Sequence, residues 1–168
     1  VYIMQRGGWS SDNTLKKIYR GVMDDYRAKI TFNNYMVTEL HYEQNSNYDF
    51  DAEKLDVDFN IKSKVQISQT NAAVSLSVIC GREDNSECPF IIRVSLMGIF
   101  EYEGNIKSEE AKSLLTTNAI AILFPYLRSL VSDISGKSNI YPQYRLPLIN
   151  VVAMLKESDD IEVIDIDE

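Results

Sequence analysis

Apolar and polar residues alternate through four consecutive stretches of the chain, which is the pattern of β-strands with one buried face. The stretches cover residues 30–42, 55–67, 72–80 and 90–97, and the second is the most regular. In the fourth stretch both faces are largely apolar, so we expect it to be covered on both sides. Because the last three stretches are joined by short turns and the first is followed by a long connection, they predict an antiparallel sheet with one crossover.

Two longer segments have the three- and four-residue spacing of helices. Residues 14–29 have the pattern of an amphipathic helix, and a much longer pattern follows the cap candidate Ser108 and ends at Gly136. The apolar residues of the longer one cover more than one stripe, so it needs a second surface besides the sheet, which another subunit would supply. Pro125 lies inside this pattern and predicts a kink or a break near residues 118–121.

Strands come first in the chain and helices follow, which is the order of an α+β domain with its helices on one face of the sheet. A short C-terminal helix, capped by Asn150, completes the predicted domain. We therefore predict an N-terminal extension with an amphipathic helix at residues 1–29, a main domain at residues 30–157, and a mobile acidic tail at residues 158–168.

Composition limits the possible partners and the compartment. The 168 residues are 45% hydrophobic, which suits one domain with a real core. The formal charge of −8 repels a phosphate backbone, so we predict no nucleic-acid partner and regard a basic peptide or protein surface as a better match. No run of about 20 apolar residues is present, and Cys80 and Cys88 suit free thiols in a reducing compartment. We predict a cytoplasmic protein without direct membrane insertion.

An enzyme with a long helix against an antiparallel sheet, as in hot-dog thioesterases and dehydratases, is the main alternative class. Such an enzyme needs an acid, a base or a nucleophile in the buried middle of the helix, and residues 114–127 offer none. The single histidine, His41, lies between Glu39 and Glu43 and could act as a base, but a solvated or salt-bridged role is favoured. The sequence contains no phosphate loop, metal cluster or nucleophile motif, so we predict no enzyme, no cofactor and no metal site.

Three short motifs occur in order in the second half of the chain. They are Gly98-Ile-Phe100, Ile122-Leu-Phe-Pro-Tyr126, and Tyr141-Pro followed by Leu146-Pro-Leu-Ile-Asn150. In order and spacing they resemble the bacterial export chaperone family SecB, and the similarity runs from about residue 30 to residue 157. The resemblance implies a four-stranded antiparallel sheet with a long helix and a short C-terminal helix, assembled as a homotetramer, a dimer of dimers whose long helices meet at the inner interface. We expect the oligomer interface to involve Ile92, Val94, Leu96, Leu123 and Leu127.

SecB-like proteins are holdases: they bind unfolded preproteins without ATP hydrolysis and pass them to the secretion motor SecA. Their clients lie in apolar grooves between the second strand, the connection before it, and the C-terminal helix with its leading loop. Exposed apolar strips suit this role because their burial is favourable for almost any client sequence. Packing of the domain itself stays open as the alternative, above all for Val57 and Phe59. The resemblance implies that the client-binding residues here are Tyr48, Phe50, Val57, Phe59, Ile61, Tyr141, Tyr144, Leu148, Val152 and Leu155.

The family docks its motor on an acidic outer face of the sheet, and Glu39 and Glu43 match those acids in the first strand. Arg93 stands in the fourth strand where the secretion members carry an acid, and this reversal of charge leaves SecA open as a partner. The alternative functions are therefore a SecB-like chaperone dedicated to one client, such as an unstable antitoxin, or a structural subunit of a fixed complex.

Overall fold

The computed structural model describes residues 29–166 of the chain. The strands are β1 (Ile30–Gln44), β2 (Phe59–Ile67), β3 (Asn71–Cys80), β4 (Phe90–Tyr102) and β5 (Ile161–Asp165). The helices are α1 (Glu109–Leu114), α2 (Ile120–Gly136) and α3 (Val151–Glu157), with a π-helical turn (Leu115–Ala119) between α1 and α2. The predicted helix at residues 14–29, and the extension that contains it, lie outside the described residues apart from Lys29.

The sheet has the order β1-β4-β3-β2-β5, which corrects the predicted sheet of four antiparallel strands. β1 to β4 are antiparallel, as predicted, and the long connection after β1, which the sequence showed to be long enough for a crossover, does cross over and brings β4 beside β1. The difference is β5, which pairs in parallel with residues 63–67 of β2. The tail predicted to be mobile therefore contains an edge strand, because its acidic residues enclose an Ile-Glu-Val-Ile run that suits a strand.

Two β-bulges in β1 change which of its side chains face the helices. The register with β4 shifts within residues 32–34 and again within residues 37–39. A bulge inserts one extra residue, so it inverts the alternation that follows it. Simple alternation from the start of the strand places Met36 on the helix side, whereas in the structure Tyr35 lies there, with its ring 4.5 Å from that of Tyr126 on α2.

The core lies between the sheet and α2. Most of its largest fully buried side chains come from β2, β3, β4 and α2, and these include Ile61, Leu76, Phe90, Phe100, Leu123 and Leu127. Both predicted helix caps are confirmed: Ser108 Oγ accepts a hydrogen bond from the N–H of Ala111 at 3.2 Å, and Asn150 Oδ1 accepts one from the N–H of Ala153 at 3.1 Å. These caps satisfy backbone donors that the first helical turn leaves unpaired.

The irregularity predicted near residues 118–121 appears as the π-helical turn, which overlaps that region at its C-terminal end, while Pro125 lies within α2. Taken as one rod, Glu109–Gly136 is long and apolar enough to cross a bilayer by length and composition alone. The core helix of a soluble protein meets the same criteria. This rod buries Leu115, Ile120 and Leu123 completely, whereas Tyr126 on the same rod stays 38% exposed.

Gly98, the first residue of the Gly-Ile-Phe motif, lies under α2. A Cβ atom at this position would be 2.7 Å from Leu123 Cδ2 and 2.8 Å from Phe100 Cε2. We expect Gly98→Val to lower the free energy of unfolding by about 2 kcal/mol, because the added side chain overpacks the contact between α2 and β4. Urea unfolding followed by circular dichroism measures this loss. Ala73→Val on the outer face of β3 is the matched control, and equal losses in both variants would contradict this explanation.

Candidate functional site

The connection between β1 and β2 is held in place by one buried side chain, Asn45, which is 2% exposed. Its Nδ2 donates to the carbonyl oxygens of Arg82, Asn85 and Cys88, at 3.2, 3.0 and 2.9 Å. Its Oδ1 accepts a hydrogen bond from the backbone N–H of Asn47 at 3.0 Å. The loop between β3 and β4 is therefore the platform that supports the β1–β2 connection.

Backbone hydrogen bonds tie the same two segments together further along. The N–H of Asp49 donates to the carbonyl of Ser86 at 2.8 Å, and the N–H of Asp56 donates to the carbonyl of Glu87 at 3.1 Å. Paired backbone groups of this kind fix the path of a connection. The aromatic residues of the β1–β2 connection are thus carried on a fixed backbone.

The loop between α2 and α3, residues 137–150, is anchored to α2. The buried hydroxyl of Ser135 accepts a hydrogen bond from the N–H of Tyr144 at 2.8 Å, and Arg128 Nε donates to the carbonyl of Leu146 at 2.9 Å. The side chain of Leu146 is itself fully buried. This loop, which is apolar in sequence, therefore follows a defined path along the helix.

Three aromatic rings bring the connection and the loop together. The ring of Tyr48 lies 5.1 Å from that of Phe50 and 5.6 Å from that of Tyr141, and both contacts are edge-to-face. We call Tyr48, Phe50 and Tyr141 the aromatic cluster. The hydroxyl of Tyr141 is buried and has no hydrogen-bond partner among the described residues. Burial, with Tyr48 and Tyr42 nearby, raises the pKa of Tyr141.

Tyr144 links the same loop to the sheet. Its hydroxyl donates to the carbonyl of Val57 at 3.4 Å, and its ring lies 6.1 Å from that of Phe90. Burial, followed by the nearby thiols of Cys80 and Cys88, raises the pKa of Tyr144 to about 12. Tyr144 therefore has a structural role at the base of this surface.

The ten predicted client-binding residues fall into three groups by exposure. Phe50 is 72% exposed and Leu148 is 86% exposed, so both are free to contact another molecule. Ile61 and Leu155 are 1% and 0% exposed, so they pack the core and offer no side-chain surface to a client, contrary to the expectation from the resemblance. The others are half-buried: Tyr48, Val57, Phe59, Tyr141, Tyr144 and Val152.

The five residues expected at the oligomer interface are all core residues of the single chain. Each of them is 0% exposed: Ile92, Val94, Leu96, Leu123 and Leu127. They fill the space between β4 and α2, so they have no side-chain surface left for a second copy. Large apolar side chains that do stay exposed on the helix side are Val37 and Leu40 on β1 and Tyr126 on α2.

The two acids expected to dock a motor lie on the outer face of the sheet, where other polar side chains contact both. Glu39 Oε1 is 3.4 Å from Arg93 Nε, and Glu39 Oε2 accepts a hydrogen bond from Ser95 Oγ at 3.3 Å. Glu43 Oε2 is 3.2 Å from His41 Nε2. Exposed pairs of this kind contribute little to stability, but Arg93 offsets the charge of Glu39 locally.

Acidic side chains dominate the segments around the aromatic cluster. Residues 45–58 and 81–89 contain eight acids, which are Asp49, Asp51, Glu53, Asp56, Asp58, Glu83, Asp84 and Glu87, against Lys54 and Arg82. Both bases are already paired: Lys54 Nζ lies 3.5 Å from Glu87 Oε2, and Arg82 Nε lies 2.6 Å from Asp58 Oδ2. We call these two segments the acidic rim. A strong negative charge therefore lies beside exposed apolar side chains.

Cys80 and Cys88 are buried free thiols. Burial, with the Cys88 thiol as a smaller cause, raises the pKa of Cys80 from 9.0 to about 12.

The raised pKa of the Cys80 thiol makes the stability of the fold depend on pH. A thiol with a raised pKa in the folded state stabilises the fold fully below its unfolded pKa, and this contribution is lost as the pH rises through the folded pKa. We expect the free energy of unfolding to fall between pH 9 and pH 12, and Cys80→Ala to reduce that slope. Urea unfolding at stepped pH measures both, and identical slopes would contradict this role for Cys80.

A sheet covered on one face by a long helix, with exposed aromatic and aliphatic side chains beside the second strand, is the architecture of a SecB-like chaperone. The sequence model of one family, described as SecB, preprotein translocase subunit SecB, matches residues 23–160. The chain belongs to the SecB family. This confirms the resemblance found in the sequence motifs and the chaperone function that it implied.

The chain is similar to several known proteins. The protein-export protein SecB of Acidithiobacillus ferrooxidans is 27% identical over 141 residues, which cover 81% of this chain and 93% of that protein. The SecB of Acinetobacter baumannii is 33% identical over 96 residues, or 56% and 62% of the two chains. An uncharacterized protein of Methanocaldococcus jannaschii is 28% identical over 141 residues, or 81% and 88%. A SecB-like chaperone of Mycobacterium tuberculosis, solved with a ChAD peptide from the HigA1 antitoxin, shares the fold with a TM-score of 0.61 at 16% identity, covering 72% of this chain and 91% of that one.

Proposed function

We propose that this chain is an ATP-independent, non-enzymatic holdase of the cytoplasm that binds unfolded polypeptides on the aromatic cluster and on Leu148 and Val152. The observation that carries the proposal is the exposure of Phe50 and Leu148, at 72% and 86%, on segments whose backbones are hydrogen-bonded in place. A fixed backbone keeps these side chains in solvent instead of letting them collapse onto the core. Their burial by a client is favourable by about 25 cal/mol per Å² of apolar surface.

The acidic rim makes the proposal more specific about clients. Eight acids beside the aromatic cluster create a negative potential that attracts basic segments and repels acidic ones. Apolar contacts give affinity with little dependence on sequence, and charge then selects among apolar segments. Unfolded clients with lysine or arginine near aromatic or aliphatic residues are therefore the best match.

The proposed assembly is a homotetramer, a dimer of dimers. It is supported by the exposed apolar side chains of Val37, Leu40 and Tyr126, which lie on the helix side of the fold and which a second copy would cover. These residues take the place of the five core residues that the sequence indicated. Light scattering, which gives the mass in solution, tests the tetramer.

Delivery of clients to SecA for protein export is the first candidate role, supported by the names of the related export proteins, with Glu39 and Glu43 as the proposed motor contacts. A chaperone dedicated to one client, such as an antitoxin, is the second. The ion pair between Glu39 and Arg93, at 3.4 Å, favours this second role because it weakens the acidic docking surface. A structural subunit of a fixed complex would use the same apolar surface for one partner only.

Suppression of aggregation separates these roles. An unrelated unfolded protein is diluted from denaturant into buffer without ATP, with and without the chain, while light scattering follows aggregation. Suppression by a tetramer would support the general holdase, and SecA binding would be measured next. A folded chain that does not suppress aggregation would contradict the general holdase and favour the dedicated chaperone or the structural subunit.

Tyr141→Asp should weaken the suppression of aggregation without loss of circular dichroism signal. An unfolded variant would show instead that Tyr141 belongs to the core.

A further inference from the structure

β5 covers only part of the free edge of β2. The strand β2 spans Phe59–Ile67, and β5 pairs with residues 63–67 alone. There the N–H of Ser63 donates to the carbonyl of Asp160 at 2.9 Å, so the backbone N–H and C=O of Ser63 point towards β5 and away from β3. The backbone groups of successive residues in a strand point to alternate sides, so the N–H and C=O of residues 59 and 61 point to the same edge of β2 as those of Ser63. No strand pairs with that part of the edge within the described residues.

The uncovered part of the edge adjoins the surface proposed to bind clients. Phe59 is half-buried at the start of β2, and the carbonyl of Val57, two residues earlier, accepts a hydrogen bond from Tyr144. On the other side, α3 ends at Glu157 and leads into β5, with the N–H of Asp160 bonded to the carbonyl of Leu155 at 3.0 Å. The helix that borders the client surface and the strand on the edge are thus one continuous segment of chain.

Weak contacts hold β5 on this edge. Each of its five residues is exposed or half-buried, and none is buried. Two ion pairs support it, Lys64 with Glu162 at 3.4 Å and Lys112 with Asp165 at 3.0 Å, and partly exposed pairs contribute little. A cleft of about 460 Å³ lies between β5 and the helical rod at α1 and the π-helical turn. Ile161 at the start of the strand packs against the core, whereas the rest of β5 is held to the domain mainly by its hydrogen bonds to β2.

We propose that β5 is a displaceable strand, and that an extended segment of an unfolded client takes its place on the edge of β2 by main-chain hydrogen bonding. This inference rests on the proposed function and adds a second kind of contact to it. Strand addition uses backbone groups that every polypeptide has, which suits a chaperone with many clients. A client strand that extended past the position of β5 would also reach the half-buried residue 59, which β5 leaves unpaired, and would so gain pairing that β5 does not have.

Competition between β5 and the client sets the size of the effect. If β5 occupies the edge for about nine-tenths of the time, the competent fraction is one in ten and the apparent affinity for a client is lowered about tenfold. Release of β5 should therefore tighten client binding by about tenfold.

Two proline variants of the full chain form a matched pair. The N–H of Ile166 donates to the carbonyl of Ile67 at 2.8 Å, so the register directs the N–H of Ile164, two residues earlier, to the carbonyl of Val65. Ile164→Pro removes that donor from the middle of β5. Val163→Pro is the control, because the N–H of Val163 points away from β2 and an edge strand tolerates proline at such a position.

The probe is reduced and carboxymethylated α-lactalbumin, which is permanently unfolded and soluble. Fluorescence anisotropy gives its affinity, and hydrogen exchange reports on the amides of residues 63, 65 and 67. We expect these amides to lose protection in Ile164→Pro, client binding to tighten about tenfold, bound client to restore the protection, and Val163→Pro to match the wild type.

Each other outcome has a distinct meaning. Suppose that Ile164→Pro loses protection at these amides but binds the probe no more tightly than the wild type does. This result would overturn the inference and leave the proposed function intact. Protection that returns with protein concentration alone would also overturn it, because a second copy would then occupy the edge. Failure of every variant to bind the probe would remove the proposed function and the inference with it. If Ile164→Pro loses its circular dichroism signal, Asp165→Lys gives the same comparison, because it replaces the ion pair with Lys112 by a repulsion and should tighten client binding about threefold.

Discussion

The double substitution Phe50→Asp and Leu148→Asp should weaken the binding of an unfolded client by about a hundredfold or more. Both side chains are largely in solvent, so the domain loses almost no core packing. Burial of such a side chain against a client contributes about 1.5–3 kcal/mol, and about 1.4 kcal/mol corresponds to a factor of ten. An aspartate forced under a bound client adds a desolvation cost. Fluorescence anisotropy with a permanently unfolded protein measures the change.

Ile79→Asp is the matched control for this pair of substitutions. Ile79 is 49% exposed on the outer face of β3, on the side of the sheet opposite to α2. We expect its client affinity to equal that of the wild type, and urea unfolding of both variants to stay within about 0.5 kcal/mol of it. A double variant that is folded and binds the client normally would show that Phe50 and Leu148 are not part of the binding surface.

The parts of the fold that the sequence predicts well are those fixed by local chemistry. Ser108 and Asn150 cap helices because a side-chain oxygen reaches an N–H three residues ahead, whatever the rest of the chain does. β5 is different, because the Ile-Glu-Val-Ile run becomes a strand only where a free edge is available, and that edge is distant in sequence. The two bulges in β1 leave no mark in its composition, and the first of them places Tyr35 instead of Met36 on the helix side.

The site shows the same division. The resemblance predicted Tyr48, Phe50 and Tyr141 as client-binding residues, and in the structure the ring of Tyr48 contacts the other two rings. It gave no means of separating core from surface at Ile61 and Leu155, since both kinds of position are apolar and follow the same spacing. Asn45 was missed because it lies in a Gln-Asn-Ser-Asn run that reads as an ordinary turn. Its three carbonyl partners lie about 40 residues away, with separations of 37, 40 and 43, so no local signal could have identified them.

Asn45→Asp should destabilise the fold more than Asn45→Ala, although it preserves the shape of the side chain. The amide Nδ2 donates to three carbonyl oxygens, and a carboxylate would present an oxygen to them instead. Alanine leaves those carbonyls without a donor, at a cost of about 1–3 kcal/mol, whereas an uncompensated buried charge costs about 3–5 kcal/mol. Urea unfolding of the two variants at pH 7 gives the difference.

The pH dependence separates a charge effect from a simple loss of packing. Burial against carbonyl oxygens raises the pKa of the introduced carboxyl above its unfolded value, so the stability of Asn45→Asp should rise from pH 7 to pH 5, while that of Asn45→Ala, relative to the wild type, stays constant. Client binding should weaken in both variants, because Tyr48 and Phe50 lie on the connection that Asn45 supports. Wild-type stability in both variants, without any pH dependence, would mean that the amide donors of Asn45 do not hold the connection, and that its backbone bonds to the β3–β4 loop position the aromatic cluster alone.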